Sequence, residues 1–135
     1  MPNDFNQQII EEFRANKGVV GGYFEGATLV LLTTTGAKSG NRTTSPVMYF
    51  EDGDRYIVIA SNAGADHHPA WYHNLVAKPE ATAEIGTETF EVTASFIEGE
   101  ERDRLYARIV ERAATFAEYE AKTTRRIPVV ALHRA

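Results

Sequence analysis

No cysteine occurs in the 135 residues, which removes disulfides, thiolate nucleophiles and thiolate metal sites from consideration. Its absence fits a reducing compartment. Long apolar runs are missing too, and nothing approaches the ~20 residues needed to span a bilayer. The opening Met1-Pro2-Asn3-Asp4-Phe5 lacks the basic and apolar regions of a signal peptide. Positive charge is in deficit: the net charge is -5, which argues against nonspecific nucleic-acid binding. A local basic patch around Lys38, Arg42, Arg125 and Arg126 is still compatible with that balance. Hydrophobic residues make up 43% of the chain, enough for one domain, residues 1–135, with a single core. A soluble, cytoplasmic protein is expected, with peripheral contact at the inner face of a membrane left open.

Two segments rich in small residues stand out. The first is Gly36-Ala37-Lys38-Ser39-Gly40-Asn41-Arg42, which then reaches Pro46. The second is Ala60-Ser61-Asn62-Ala63-Gly64-Ala65, leading into Pro69-Ala70-Trp71-Tyr72-His73-Asn74. Each follows a strand-like apolar run, residues 29–32 and 56–59. Glycine and small hydroxyl residues leave backbone N–H groups free to meet phosphate oxygens, and Lys38 and Arg42 add positive charge. Together the segments suit an anionic, planar cofactor.

Around them the pattern predicts a succession of elements. Asn3 or Asp4 caps a first helix whose apolar face is Phe5, Ile9, Ile10 and Phe13. Gly18 ends it, within an N-terminal helix and lead-in covering residues 1–20, and Gly21-Gly22 then marks a loop. The β-prone run from Thr28 to Thr34 reads as a buried strand. Extended structure resumes at Pro46, turns at Asp52-Gly53 and returns over residues 55–60, an antiparallel hairpin. A helix starts at Pro69 and stops at Lys78-Pro79. A second hairpin turns at Gly86-Thr87, with Phe90, Val92 and Ala94 alternating with Glu91, Thr93 and Ser95. An amphipathic helix opens over residues 98–101 and buries Leu105, Ile109 and Val110. A further helical piece carries Phe116 and Tyr119, and residues 128–132 form a last strand. The predicted fold class is α+β, mainly β: six strands, mainly antiparallel, closing or nearly closing into a small barrel with flanking helices.

Ordinary readings compete at each candidate site. The Lys38 segment is also a common composition for a solvated turn; it is neither a Walker loop nor a dinucleotide fingerprint. Trp71 alone reads as a core anchor. His67, His68 and His73 lack the i, i+4 spacing of helical zinc ligands, so no metal is expected. Ser61, Asp66 and His68 hold the atoms of a hydrolytic triad without a nucleophile elbow. The stretch 100–112 reads as a solvated face with pairs such as Glu100–Arg104.

Taken together, the motifs resemble the deazaflavin (F420)-dependent nitroreductase and quinone reductase family. The likeness runs through Leu31-Leu32-Thr33-Thr34-Thr35-Gly36-Ala37-Lys38-Ser39-Gly40, then Pro46 and Tyr49-Phe50, and the second segment through Pro69-Ala70-Trp71-Tyr72-His73-Asn74-Leu75. It closes on Arg126-Ile127-Pro128-Val129-Val130. The resemblance implies a flavin-reductase-like split β-barrel and coenzyme F420. It implies that Lys38, Ser39 and Arg42 hold the coenzyme phosphate. Pro46, Val47 and Met48, with Ala60, Ser61, Asn62 and Ala63, would line the deazaflavin ring, with Trp71 buttressing that wall. The loop arginine of the family falls one residue later, at Thr43. Asn62 stands where some members carry a lysine. The tyrosine series of the nitroimidazole-active members corresponds to Ala113, Phe116 and Tyr119, so only Tyr119 keeps a hydroxyl.

The implied activity is hydride transfer from the reduced coenzyme to a small electrophile such as a quinone or enone. Tyr119 is the candidate catalytic residue, and Phe116 and Tyr119 the candidate acceptor-binding pair. The partners expected are a quinone-like small molecule and at most a second copy of the chain, as monomer or homodimer. Two other readings share the same residues: a non-catalytic deazaflavin carrier, and an FMN-dependent split-barrel oxidoreductase.

Overall fold

The computed structural model describes residues 4–16, 29–61, 68–123 and 126–134. The expectations for Asn3, Gly18, Gly21, Gly22, Thr28, residues 62–67 and Arg125 lie outside the described residues, as does the side chain of Phe5. In chain order the elements are α1 (Asp4–Ala15), β1 (Leu29–Thr35), β2 (Arg42–Asp52), β3 (Arg55–Ile59), α2 (Ala70–Ala77), β4 (Glu80–Ile85), β5 (Glu88–Ile97), α3 (Gly99–Arg112), α4 (Thr115–Lys122) and β6 (Val129–Arg134).

The six strands close into a barrel in the order β1-β2-β3-β6-β5-β4, every pairing antiparallel. Two tight hairpins start the construction. Gly53 and Gly86 sit at φ 64° and 59°, a region that costs a glycine nothing and a β-carbon-bearing residue strain. They fix the registers Asp52↔Arg55 and Ile85↔Glu88.

Alternation then divides the side chains. Val30, Leu32, Val58, Val92, Ala94, Val130 and Leu132 meet inside the barrel. The opposite parity, Ile57, Ile59, Val129 and Ala131, faces outward under α3 and α4 with Leu105, Tyr106, Ile109 and Phe116. The continuous apolar run of β1 has the same cause: Val30 and Leu32 point inward, while Leu29 and Leu31 are covered by Ile9, Ile10 and Phe13 of α1. A strand covered on both faces has no polar side to show. One end of the barrel, where β1 ends and β2 begins, is plugged by Trp71 and Leu75 of α2.

Four local expectations change. Arg42 belongs to β2 rather than to the preceding loop, because β2 pairs along the whole of β1, out to Thr35↔Arg42. The α3 face buries Arg102, Leu105, Tyr106 and Ile109, with Val110 only partly covered. Its face also carries an Arg104–Glu101 pair at 3.8 Å where Glu100–Arg104 was expected. Pro69 is the N-cap of α2, just outside its first turn.

Candidate functional site

The barrel parts along one seam. Strand β2 is paired with β1 from Arg42 to Met48, but with β3 only from Tyr49 to Asp52. Beyond Ile59 the chain stays with the other side of the seam, since the Ala60 amide donates to the Pro128 carbonyl at 3.0 Å. Among the described residues, the second edge of β2 from Arg42 to Met48 therefore has no strand beside it. Seven residues at ~3.3 Å each give an edge of about 23 Å, and alternate residues turn both N–H and C=O toward it. No residue of β2 is fully buried. The open edge also explains how an 11-residue strand tolerates Pro46, which has no N–H to give to a neighbour.

At the end of this edge stands the Lys38 turn. Gly36 N donates to Asn41 O at 2.7 Å and Gly40 N to Gly36 O at 2.9 Å. The Ser39 hydroxyl oxygen accepts from Asn41 N at 3.1 Å. Gly40 holds φ 74°, and a β-carbon on Gly36 would fall 2.5 Å from Ser39 Oγ. The turn is thus folded tightly on itself and offers the exposed Lys38 outward. No carboxylate pairs with Lys38 among the described residues. An unpaired cation beside an unpaired backbone edge suits a flat molecule with an anionic end, so the residues present fit the deazaflavin coenzyme.

The other expected residues fall into two groups. Val47, Ala60 and Trp71 meet in the barrel-interior cluster, with Ser61 buried immediately after Ala60. Met48, Phe50, Phe116 and Tyr119 meet in the outer cluster under α3 and α4. Residues 46–48 of β2 join the groups, since neighbouring side chains on a strand face opposite ways. Asn62 and Ala63 lie outside the described residues. Phe116 is only 5% exposed, edge-to-face with Phe50 at 5.8 Å and with Tyr119 at 5.6 Å. As it stands Phe116 is packing, and Tyr119 is half-buried beside it. Inside β2, burial and then the Glu51 carboxylate push the Tyr49 phenol above its ordinary value of 10.0.

Arg42 is turned from the open edge. Its Nη1 donates to Thr35 Oγ1 at 3.2 Å and its Nη2 to Thr82 Oγ1 at 2.7 Å. It therefore lies across β1 toward β4, where Thr82 in turn donates to Glu91 at 2.8 Å. The His68 ring lies beside those of Tyr72 and His73, with centroids 4.7 and 5.6 Å away and planes tilted by 53° and 57°.

Two residues escape a reading of the sequence. Asn74 is buried and joins the Lys38 turn to α2. Arg102 is buried and donates through Nε and Nη2 to the Ile127 carbonyl at 3.1 and 2.7 Å. The signal in both cases is position: Asn74 lies three residues after Trp71 and Arg102 three before Leu105, each on the buried face of its helix.

The sequence model of the F420H(2)-dependent quinone reductase family matches residues 6–134. An F420H(2)-dependent quinone reductase of Mycobacterium tuberculosis is 38% identical over 126 residues, covering 90% of this chain and 85% of that protein. A solved F420-H2 dependent reductase is 38% identical, with a TM-score of 0.71 over 84% of this chain and all, 100%, of its own. A second solved chain, a domain-swapped dimer, is 36% identical with a TM-score of 0.73, covering 98% of this chain and 100% of its own. With its barrel, its parted seam and its Lys38 turn, the chain belongs to the F420H(2)-dependent quinone reductase family.

Proposed function

We propose that this protein is an F420-dependent reductase that passes a hydride to a small, flat electrophile such as a quinone or enone. The observation that carries this is the β2 edge that no described strand covers, ending at the exposed Lys38, which no described carboxylate pairs. Reduced F420 supplies the hydride when bound, and the acceptor takes up that hydride and a proton. The work of the chain is to hold, orient and exclude water.

Lys38 and Ser39 bind the anionic end of the coenzyme. Arg42, bonded among the described residues to the Thr35 and Thr82 hydroxyls and turned from the open edge, supports the strand beside the turn. The β2 edge at Pro46, Val47 and Met48 faces the ring, with Ala60 and Ser61 on the other side of the seam; the resemblance adds Asn62 and Ala63 to the residues that line the ring. Trp71 and Leu75, buried behind Ala60, keep that wall from collapsing. Tyr119 orients or protonates the acceptor oxygen, and Phe116 fixes the Tyr119 ring. The setting is cytoplasmic and soluble; among the described residues no helix is long and apolar enough to cross a membrane. Self-association into a homodimer is supported by the domain-swapped dimer among the similar structures.

Parallel fluorescence titrations with oxidised F420 and with FMN test the reading. Saturable binding of F420 and markedly weaker binding of FMN are expected. Preference for FMN would overturn it.

A further inference from the structure

We propose that Asn74 is a positioning residue for the coenzyme: through the Ala37 amide it fixes where the Lys38 turn stands relative to α2. This rests on the reading that Lys38 holds the anionic end.

The Asn74 carboxamide is buried, 8% exposed. Its Oδ1 accepts from Ala37 N at 3.0 Å and its Nδ2 donates to Thr34 Oγ1 at 3.0 Å. A backbone N–H can only donate, so the oxygen must face Ala37, and the amide nitrogen then faces Thr34. One side chain thus ties three pieces together: α2, the end of β1 and the start of the turn. The other described bonds of the turn close on the turn itself, Gly36 to Asn41, Gly40 to Gly36 and Asn41 to Ser39. It is a compact unit, and Asn74 sets its place against the helix. The same helix carries Trp71 into the barrel beside Ala60. Helix α2 therefore spans from the wall beside the ring to the cation at the anionic end. Asn74 is buried and its oxygen and nitrogen each bond within the protein, so it acts through the turn rather than by touching the coenzyme. Without it, the turn keeps its internal shape but loses its registration, and the Lys38 ammonium no longer meets the coenzyme anion at a fixed distance.

The experiment uses the full chain and oxidised F420. Dissociation constants are measured by fluorescence across a range of salt concentrations for wild type, Lys38→Ala, Asn74→Ala, the double variant and Thr34→Val. Melting without coenzyme is followed in parallel. Lys38→Ala is expected to weaken binding ~10-fold or more and to flatten its salt dependence, since a charge contact is lost. Asn74→Ala should weaken binding ~10-fold with the same flattening, and the double variant should be within ~2-fold of the worse single, the signature of coupled residues. Thr34→Val removes only the partner that orients the carboxamide, and a loss of ~3-fold with partial flattening is expected. Unchanged affinity in Lys38→Ala would overturn the assignment of the turn itself. With Lys38→Ala weakened, additive losses or a wild-type salt dependence in Asn74→Ala would overturn the role of Asn74 alone. Should Asn74→Ala not fold, Thr34→Val decides: wild-type affinity and salt dependence there refute the proposal.

Discussion

Replacing Arg102 by methionine tests how α3 is held to the segment that leads into β6. The Arg102 side chain is 6% exposed, and its guanidinium gives two bonds to the one carbonyl of Ile127, a residue that is itself fully buried. It also lies over the Tyr106 ring at 4.6 Å, and Tyr106 donates to the Phe116 carbonyl of α4 at 2.6 Å. Methionine keeps the length and much of the contact with Tyr106 but has no donor. A buried carbonyl left without partners costs about 1–3 kcal/mol, and the lost stacking of a partly desolvated cation adds about 1 kcal/mol. The acidic partners Asp103 and Glu120 are 58% and 49% exposed, so water takes them over and they add little. The net loss is about 2–4 kcal/mol. For a chain of this size that lowers Tm by roughly 7–14 °C, read by calorimetry or circular dichroism. The same change at Arg104, 67% exposed on the same helix, should leave Tm nearly unmoved. A shift under ~2 °C in Arg102→Met would refute the reasoning, because the Ile127 carbonyl would then have no need of its donors.

Other outcomes follow from the same structure. Trp71→Ala should cost about 3–5 kcal/mol in chemical denaturation, as a buried indole is lost from the barrel interior, whereas Trp71→Phe should keep turnover; wild-type stability with abolished turnover in Trp71→Ala would contradict a supporting role. Tyr119→Phe keeps the edge-to-face packing on Phe116 and removes only the hydroxyl, so acceptor reduction should slow ~10²-fold or more with coenzyme affinity intact; equal rates in stopped flow would remove Tyr119 from the chemistry. The Asp103 carboxyl is held below its ordinary value of 3.8 chiefly by the hydrogen bond from Arg102, with Arg126 helping. A depressed carboxyl stabilises the fold above its unfolded pKa and loses that contribution as pH falls through the lower folded value. The Tm gap between wild type and Asp103→Asn should therefore narrow as pH is lowered past 3.8; a gap that widens would show the sign to be wrong.

Local chemistry made much of the fold legible. Asp52-Gly53 and Gly86-Thr87 each mark a hairpin that forms, and the alternation over Phe90, Val92 and Ala94 gives the inward face of β5. What stayed hidden is nonlocal. The pairings of β3 with β6 and of β1 with β4 join segments with no local signal between them. The open edge of β2 arises because β3 stops at Ile59 while β2 runs back to Arg42, a mismatch in length that neither strand shows alone. Arg42 was placed in the loop by its glycine-rich neighbours, yet β1 carries the ladder past them. Arg102 was hidden by habit of type: a guanidinium in a charged stretch reads as solvated unless its position on an apolar helix face is weighed first. Asn74 stood in the motif with no role attached. The resemblance pointed to the Lys38 turn and to Trp71; how the turn is tied to the helix appeared only in three dimensions.

Turnover separates an enzyme from a carrier most directly. Reduced F420 is mixed with the protein under exclusion of oxygen, menadione is added, and the return of the oxidised coenzyme absorbance is followed by stopped flow. The expected result is enzyme-dependent reoxidation that saturates with both coenzyme and menadione. Tight coenzyme binding with reoxidation no faster than without protein would contradict the account and leave a carrier in its place.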